Sequence, residues 1–213
     1  MRAIELKPSD AAARLSLAVY LASMELEFAR ATIEAQQARE LDPLSALIWG
    51  NSGWVHLWAR EYEQAIVVCR RAIELDPRDT SGYYVLGLSL AALGRWPESI
   101  QVFEAGNQLQ CGNMMLAYLA TACAGAGQRS RALELCSELE FRSESQPVFP
   151  TSFAFVHMGL QNFAKALDWL ERAVEERDPH VLWLPTSPRW DPLRNHPRFA
   201  ALMTRLPRRA AKL

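Results

Sequence analysis

Ala31, Ala65, Ser99, Ala132 and Ala166 are separated by 34, 34, 33 and 34 residues, and this period constrains the fold more than any other feature of the chain. A second series, Ala18, Gly53, Gly87, Ala120 and Ala154, repeats at 35, 34, 33 and 34. Two registers of small side chains in every period mean two helices that approach closely, because only Gly, Ala or Ser lets backbones pack at that distance. A phrase recurs as well: RAIELKP at 2–8 returns as ARELDP at 38–43 and as RAIELDP at 71–77. Self-similarity at a period of about 20 to 50 residues marks units that cannot bury their apolar faces alone and stack on their neighbours.

The local chemistry supplies the helices. AIVVCRRAIELDP places apolar residues at helical spacing, and Asp76-Pro77 ends the run because Pro cannot continue a helix. In LAALGRWPESI, Gly94 marks a helix end and Pro97 falls in the first turn of the next helix.

Residues 46–79 carry Trp49, Gly53, Tyr62, Ala65, Ala72 and Pro77, and residues 80–112 carry Tyr83, Leu86, Gly87, Gly94, Trp96 and Phe103. With the period of 34, this content resembles the tetratricopeptide repeat family. Residues 11–45 form a copy with one inserted residue, and 113–146 and 147–180 are more divergent copies that keep the small residues and the GQ and GLQNF turns. The resemblance implies an all-α fold, a right-handed superhelix (an α-solenoid of helix-turn-helix pairs) closed by a C-terminal capping helix. Residues 1–10 read as the end of a truncated repeat whose partner helix would lie upstream of Met1. The apolar face of the helix at 11–24, with Leu15, Ala18, Val19 and Leu21, is then expected to be partly uncovered and open to self-association.

A second resemblance lies in residues 163–206. The pattern ALxWLExAxEERxP, followed by Asp191, Pro192, Leu193, Arg194, Pro197, Arg198, Phe199 and Leu202, looks like the C-terminus of a large bacterial group. In that group a tetratricopeptide array follows an effector domain: a winged-helix transcriptional regulator, a serine/threonine kinase or a class III adenylate cyclase. This chain carries no motif of such an effector. Residues 181–213 read as a capping segment and basic tail. Asp191 is expected to cap a short helix with Pro192 at its first position, and Pro197 to open another whose Phe199, Leu202 and Met203 cover the last repeat.

Charge and composition exclude more than they assign. The formal net charge is −1, which gives no overall bias toward nucleic acid or membrane. From Arg189 onward seven Arg or Lys stand against Asp191 alone, yet without aromatic-basic interleaving on a nucleic-acid-binding fold, so nucleic acid is disfavoured. The N-terminus has no apolar signal core and no run approaches eighteen apolar residues, which makes a cytoplasmic protein the default. Cys69, Cys111, Cys123 and Cys136 lack metal-ligand spacing and read as reduced thiols, mostly of the core. His56 and His157 share one repeat position, which argues for packing; His180 and His196 lack a Cys or His partner at ligand spacing. No phosphate loop or catalytic triad can be assembled, so neither an enzyme nor a cofactor nor a metal is expected.

Binding is what the repeat resemblance implies. In the family the first helix of each repeat lines a concave groove, and here the candidate partner-binding residues are Trp54, Trp58, Tyr84, Leu88, Tyr118, Thr121 and Phe155. Of the Lys, Asn and Arg that grip a chaperone's C-terminal carboxylate in some members, only Asn51 is present. The same aromatic stripe also fits packing between repeats. The function that follows is a protein-protein interaction module, the sensor or docking part of a bacterial signalling or transcriptional regulatory protein. The alternatives are a scaffold that self-associates through its N-terminal end, and a small-ligand sensor controlling an attached effector.

Overall fold

The computed structural model describes residues 9–109 and 112–206. These are helical and contain no strand. The chain divides into two compact units at Leu93/Gly94. The repeated phrase at 2–8, Cys111, and Arg208 and Arg209 of the basic tail lie outside the described residues.

The first unit contains α1 (Ala11–Tyr20), which continues as a wider π-helical turn (Leu21–Glu25), then α2 (Phe28–Leu41), α3 (Ala46–Trp58), α4 (Tyr62–Leu75) and α5 (Ser81–Ala92). Helix α1 packs on α2 and α3, and α3 on α4 and α5. The second unit contains α6 (Trp96–Gln108), α7 (Asn113–Gly125), α8 (Arg129–Ser143), α9 (Pro150–Gly159) and α10 (Phe163–Glu175), followed by two 3-10 turns (Pro179–Trp183 and Pro188–Leu193) and α11 (Pro197–Arg205). Helix α7 packs on α6, α8 and α9, α9 on α10, and α10 on α11.

Both small-residue registers lie in the core. Ala31, Ala65, Ser99, Ala132 and Ala166 are fully buried, and so are Ala18, Gly53, Gly87, Ala120 and Ala154. Gly53 shows what the spacing demands: a Cβ there would overlap Cys69 Sγ of α4 and lie 3.0 Å from Val85 Cγ1 of α5. Three helices converge on that backbone, and any side chain would push them apart.

Each helix-to-helix turn reverses through a residue in the left-handed region. Leu26, Arg60, Gly94, Gly127 and Gln161 have φ of 58°, 64°, 72°, 80° and 57°, and they recur at 34, 34, 33 and 34 residues. The closing bonds belong to the Schellman motif: Arg60 N–H donates to Leu57 O at 3.1 Å and Glu61 N–H to His56 O at 2.9 Å. Gly127/Gln128 and Gln161/Asn162 repeat the pattern. Side-chain caps begin several helices. Ser45 Oγ accepts from Ile48 N at 3.3 Å, and Asn162 Oδ1 accepts from Lys165 N at 3.3 Å.

Two expectations are corrected. The face of α1 is covered: Leu15, Ala18 and Leu21 are buried and Val19 is half-buried, because Leu15 packs with Ala38 of α2 and Ile48 of α3. Asp191 and Pro192 do not start a helix. They lie inside the turn Pro188–Leu193, whose first position is Pro188, and Asp191 pairs instead with Arg194 (Oδ1 to Nε, 2.7 Å). Pro197 does open α11, where the amide of Arg198 donates to His196 Nδ1 at 3.2 Å. Phe199 and Leu202 of α11 are buried. Arg198 fastens the helix from outside through Asp168 Oδ1 (2.7 Å) and both oxygens of Glu171 (2.8 Å each), and its hydrogen bond holds the Glu171 carboxyl below the usual range.

Candidate functional site: the faces of the first helices

In the first unit, α3 presents Leu47, Trp54 and Trp58 along one stripe, at helical intervals. Leu47 is exposed, Trp54 half-buried and Trp58 only 5% exposed. The two indoles are tilted by 32° with centroids 5.6 Å apart. Trp58 therefore belongs to the packing and gives Trp54 a fixed aromatic neighbour. On the adjacent α5, Tyr84 and Leu88 are half-buried. Asn51, the single residue matching a carboxylate-gripping set, donates its amide to Leu47 O at 2.9 Å on its own helix.

The second unit differs. Tyr118 of α7 and Phe155 of α9 are each 5% exposed, with centroids 5.2 Å apart, and Phe103 of α6 lies 5.7 Å beyond Tyr118. The chain's own later residues lie over these rings. Trp190 stacks on Phe155 at 5.1 Å and 27°. The Arg189 guanidinium carbon sits 4.5 Å from the Tyr118 centroid and 4.1 Å from that of Phe155. Thr121 is half-buried and donates its hydroxyl to Ala117 O at 2.8 Å. Sequence reasoning missed Arg189 and Trp190, which no periodicity connects to α7 or α9.

Asp178 anchors this arrangement. Its Oδ2 accepts from the Thr151 amide (3.0 Å) and hydroxyl (2.7 Å) at the start of α9. Its Oδ1 accepts from the His180 amide (2.9 Å) and lies 2.8 Å from His180 Nδ1. Burial pushes this carboxyl up, but the hydrogen bonds from His180 and Thr151 outweigh it and leave the group below its ordinary value. Thr151, a groove position by repeat register, is thus internal. Arg194 folds the loop back by donating to Pro185 O (3.0 Å) and Ser187 O (3.3 Å). Beside the anchor, a cavity of about 430 Å³ is lined by Pro147, Val148, Phe149, Phe153, Trp169 and Arg172, among others. Phe153 and Trp169 stack there at 4.3 Å, and Arg172 lies over Trp169 at 5.1 Å.

The remaining reactive groups are internal. Cys69, Cys123 and Cys136 are buried, and burial raises each thiol away from the reactive thiolate. His56 Nδ1 meets Glu61 Oε2 at 2.7 Å across the α3–α4 turn. His157 is buried, which lowers its basicity, with Lys165 acting in the same direction. Among the described residues no cluster of His, Cys, Asp and Glu could hold a metal ion, and no helix is long and apolar enough to cross a membrane.

The tetratricopeptide repeat family model matches residues 26–80 and 53–108. The chain carries tetratricopeptide repeats. Serine/threonine-protein phosphatase 5 of Homo sapiens is 37% identical over 68 residues, which are 32% of this chain and 14% of that protein. The Rattus norvegicus protein matches to the same extent. The match lies in the tetratricopeptide region of the phosphatase. Among solved structures, the fold is similar to a thermophilic TPR protein from Thermus thermophilus (TM-score 0.63, 17% identity, 91% of this chain and 99% of that one). It is also similar to Pseudomonas aeruginosa pilF (0.58, 19%, 86% and 83%). A third similar structure is YrrB, described as a TPR protein with an unusual peptide-binding site (0.53, 23%, 86% and 95%).

Proposed function

We propose that this tetratricopeptide array is a non-enzymatic protein-protein interaction module whose first-helix face on α3 and α5 holds an apolar peptide segment of a partner. The observation that carries this reading is the pair Trp54 and Trp58. A half-buried indole held against a buried one is an anchor with little rotamer freedom left to lose, the type of residue that dominates binding energy. Tyr84 and Leu88 extend that surface on the neighbouring helix. The biological setting rests on the C-terminal resemblance: the module is the docking part of a bacterial signalling or regulatory protein. Peptide display on the immobilised chain tests the reading. Selected sequences should carry apolar or aromatic residues at helical or alternating spacing, and their binding should slow amide exchange in α3 and α5. Binders that protect only other helices would refute the assignment.

A second reading, reception of a small ligand, is supported by the 430 Å³ cavity with its stacked Phe153 and Trp169. A thermal-shift screen with Trp169→Ala as control tests it: a hit whose shift persists in that variant is bound elsewhere.

A further inference from the structure

In the second unit the chain lays one of its own segments across the first-helix face. The segment PTSPRWDPLR, residues 185–194, has prolines at 185, 188 and 192, and Arg194 closes it into a loop by donating to the carbonyls of Pro185 and Ser187. What it presents is a planar cation and an indole on consecutive residues. Arg189 lies over two ring faces and Trp190 stacks on one of them, a combination in which ring quadrupole and contact area both discriminate for Arg beside an aromatic residue. The receiving position is not arbitrary. Phe155 stands 34 residues after Thr121, 67 after Leu88 and 101 after Trp54, the same place within each repeat. The chain thus places an occupant on the register position that elsewhere forms the candidate partner face.

We propose that the face formed by Tyr118 and Phe155 is a binding site for proline-flanked Arg-aromatic segments, with Pro188–Leu193 as its tethered occupant. A partner of this chemistry enters by replacing the chain's own segment. This rests on reading the array as a peptide-binding module, but it concerns a different face from that of Trp54. Tethering supplies the internal segment at an effective concentration on the order of millimolar. A free peptide with an intrinsic Kd of about 10 μM therefore binds roughly a hundred-fold more weakly than it would to a vacant face.

The test is titration of a fluorescently labelled peptide of sequence PTSPRWDPLR into the full chain and its Arg189→Gln variant, with helicity checked by circular dichroism. The variant, which holds its own segment less firmly, is expected to bind the peptide at least ten-fold more tightly than the parent chain. A peptide with Arg replaced by Gln should lose that binding. Should Arg189→Gln fail to fold, Trp190→Phe, which keeps a ring in place, is expected to give the same ordering. Adding Phe155→Leu should abolish capture, and adding Trp54→Ala should leave it unchanged. No capture by either folded variant at 1 mM peptide would overturn the proposal and show the segment to be a cap alone. Capture lost with Trp54→Ala but retained with Phe155→Leu would overturn it as well. Neither result touches binding of other peptides at Trp54, which stands or falls by its own measurement.

Discussion

Gln161 holds φ of 57° at the turn position that glycine occupies at 94 and 127. An L-residue in that region carries a cost of about 1–2 kcal/mol that glycine avoids, partly offset by the greater freedom glycine has in the unfolded chain. Gln161 is exposed, so its side chain gives up little when removed. Gln161→Gly is therefore expected to stabilise the protein by about 0.5–1 kcal/mol in denaturant unfolding, and Gln161→Ala to give no gain. A residue with the opposite leverage is Asp178. Its folded-state pKa lies below the ordinary carboxylate value, so its contribution to stability is fully present above about pH 4 and is lost as pH falls through the lower folded value. Asp178→Asn removes one charged acceptor from beneath Thr151 and His180. It should cost about 2 kcal/mol near neutral pH and flatten the acid limb of a plot of melting temperature against pH. An unchanged acid limb would show that the carboxylate does not stabilise the junction.

At the scale of elements, helix pairs were legible because the signals that write them are short-range and periodic. Ala31 and its equivalents fall on the buried seam, and Asp42 and Asp76 each end a second helix just before proline. The left-handed turn was legible only where it carries Gly94 or Gly127, since nothing in the residue types Leu26, Arg60 or Gln161 announces positive φ. The tail was readable in its apolar face but not in its turns. Phe199 and Leu202 are buried as their spacing suggests, whereas Asp191 pairs with Arg194 because Pro188, three residues earlier, had already begun the turn. Phe199→Ala opens a cavity under α11 and should cost about 3 kcal/mol. Amide exchange should report the loss first in α10 and α11, and equal loss in α1 and α2 would argue against a local capping role.

For the molecule as a whole, the candidate site was only half legible. The register reasoning that selects Trp54, Tyr84 and Leu88 also selects Tyr118 and Phe155, and the structure separates the two groups. The first are half-buried on their own unit, and the last two lie beneath Arg189 and Trp190. That separation depends on residues more than thirty positions apart in sequence, and such contacts leave no mark in a local pattern. The expected exposure of α1 failed for a related reason, because its face is covered by α2 and α3.

The central claim, that the α3–α5 face binds a partner through Trp54, is tested most directly by measuring affinity and melting temperature together on Trp54→Ala. For a selected peptide, the account predicts about 2 kcal/mol weaker binding, roughly thirty-fold in Kd, with the array still folded and its melting temperature little changed. A large fall in melting temperature with affinity preserved in the folded fraction would contradict it and return Trp54 to the core.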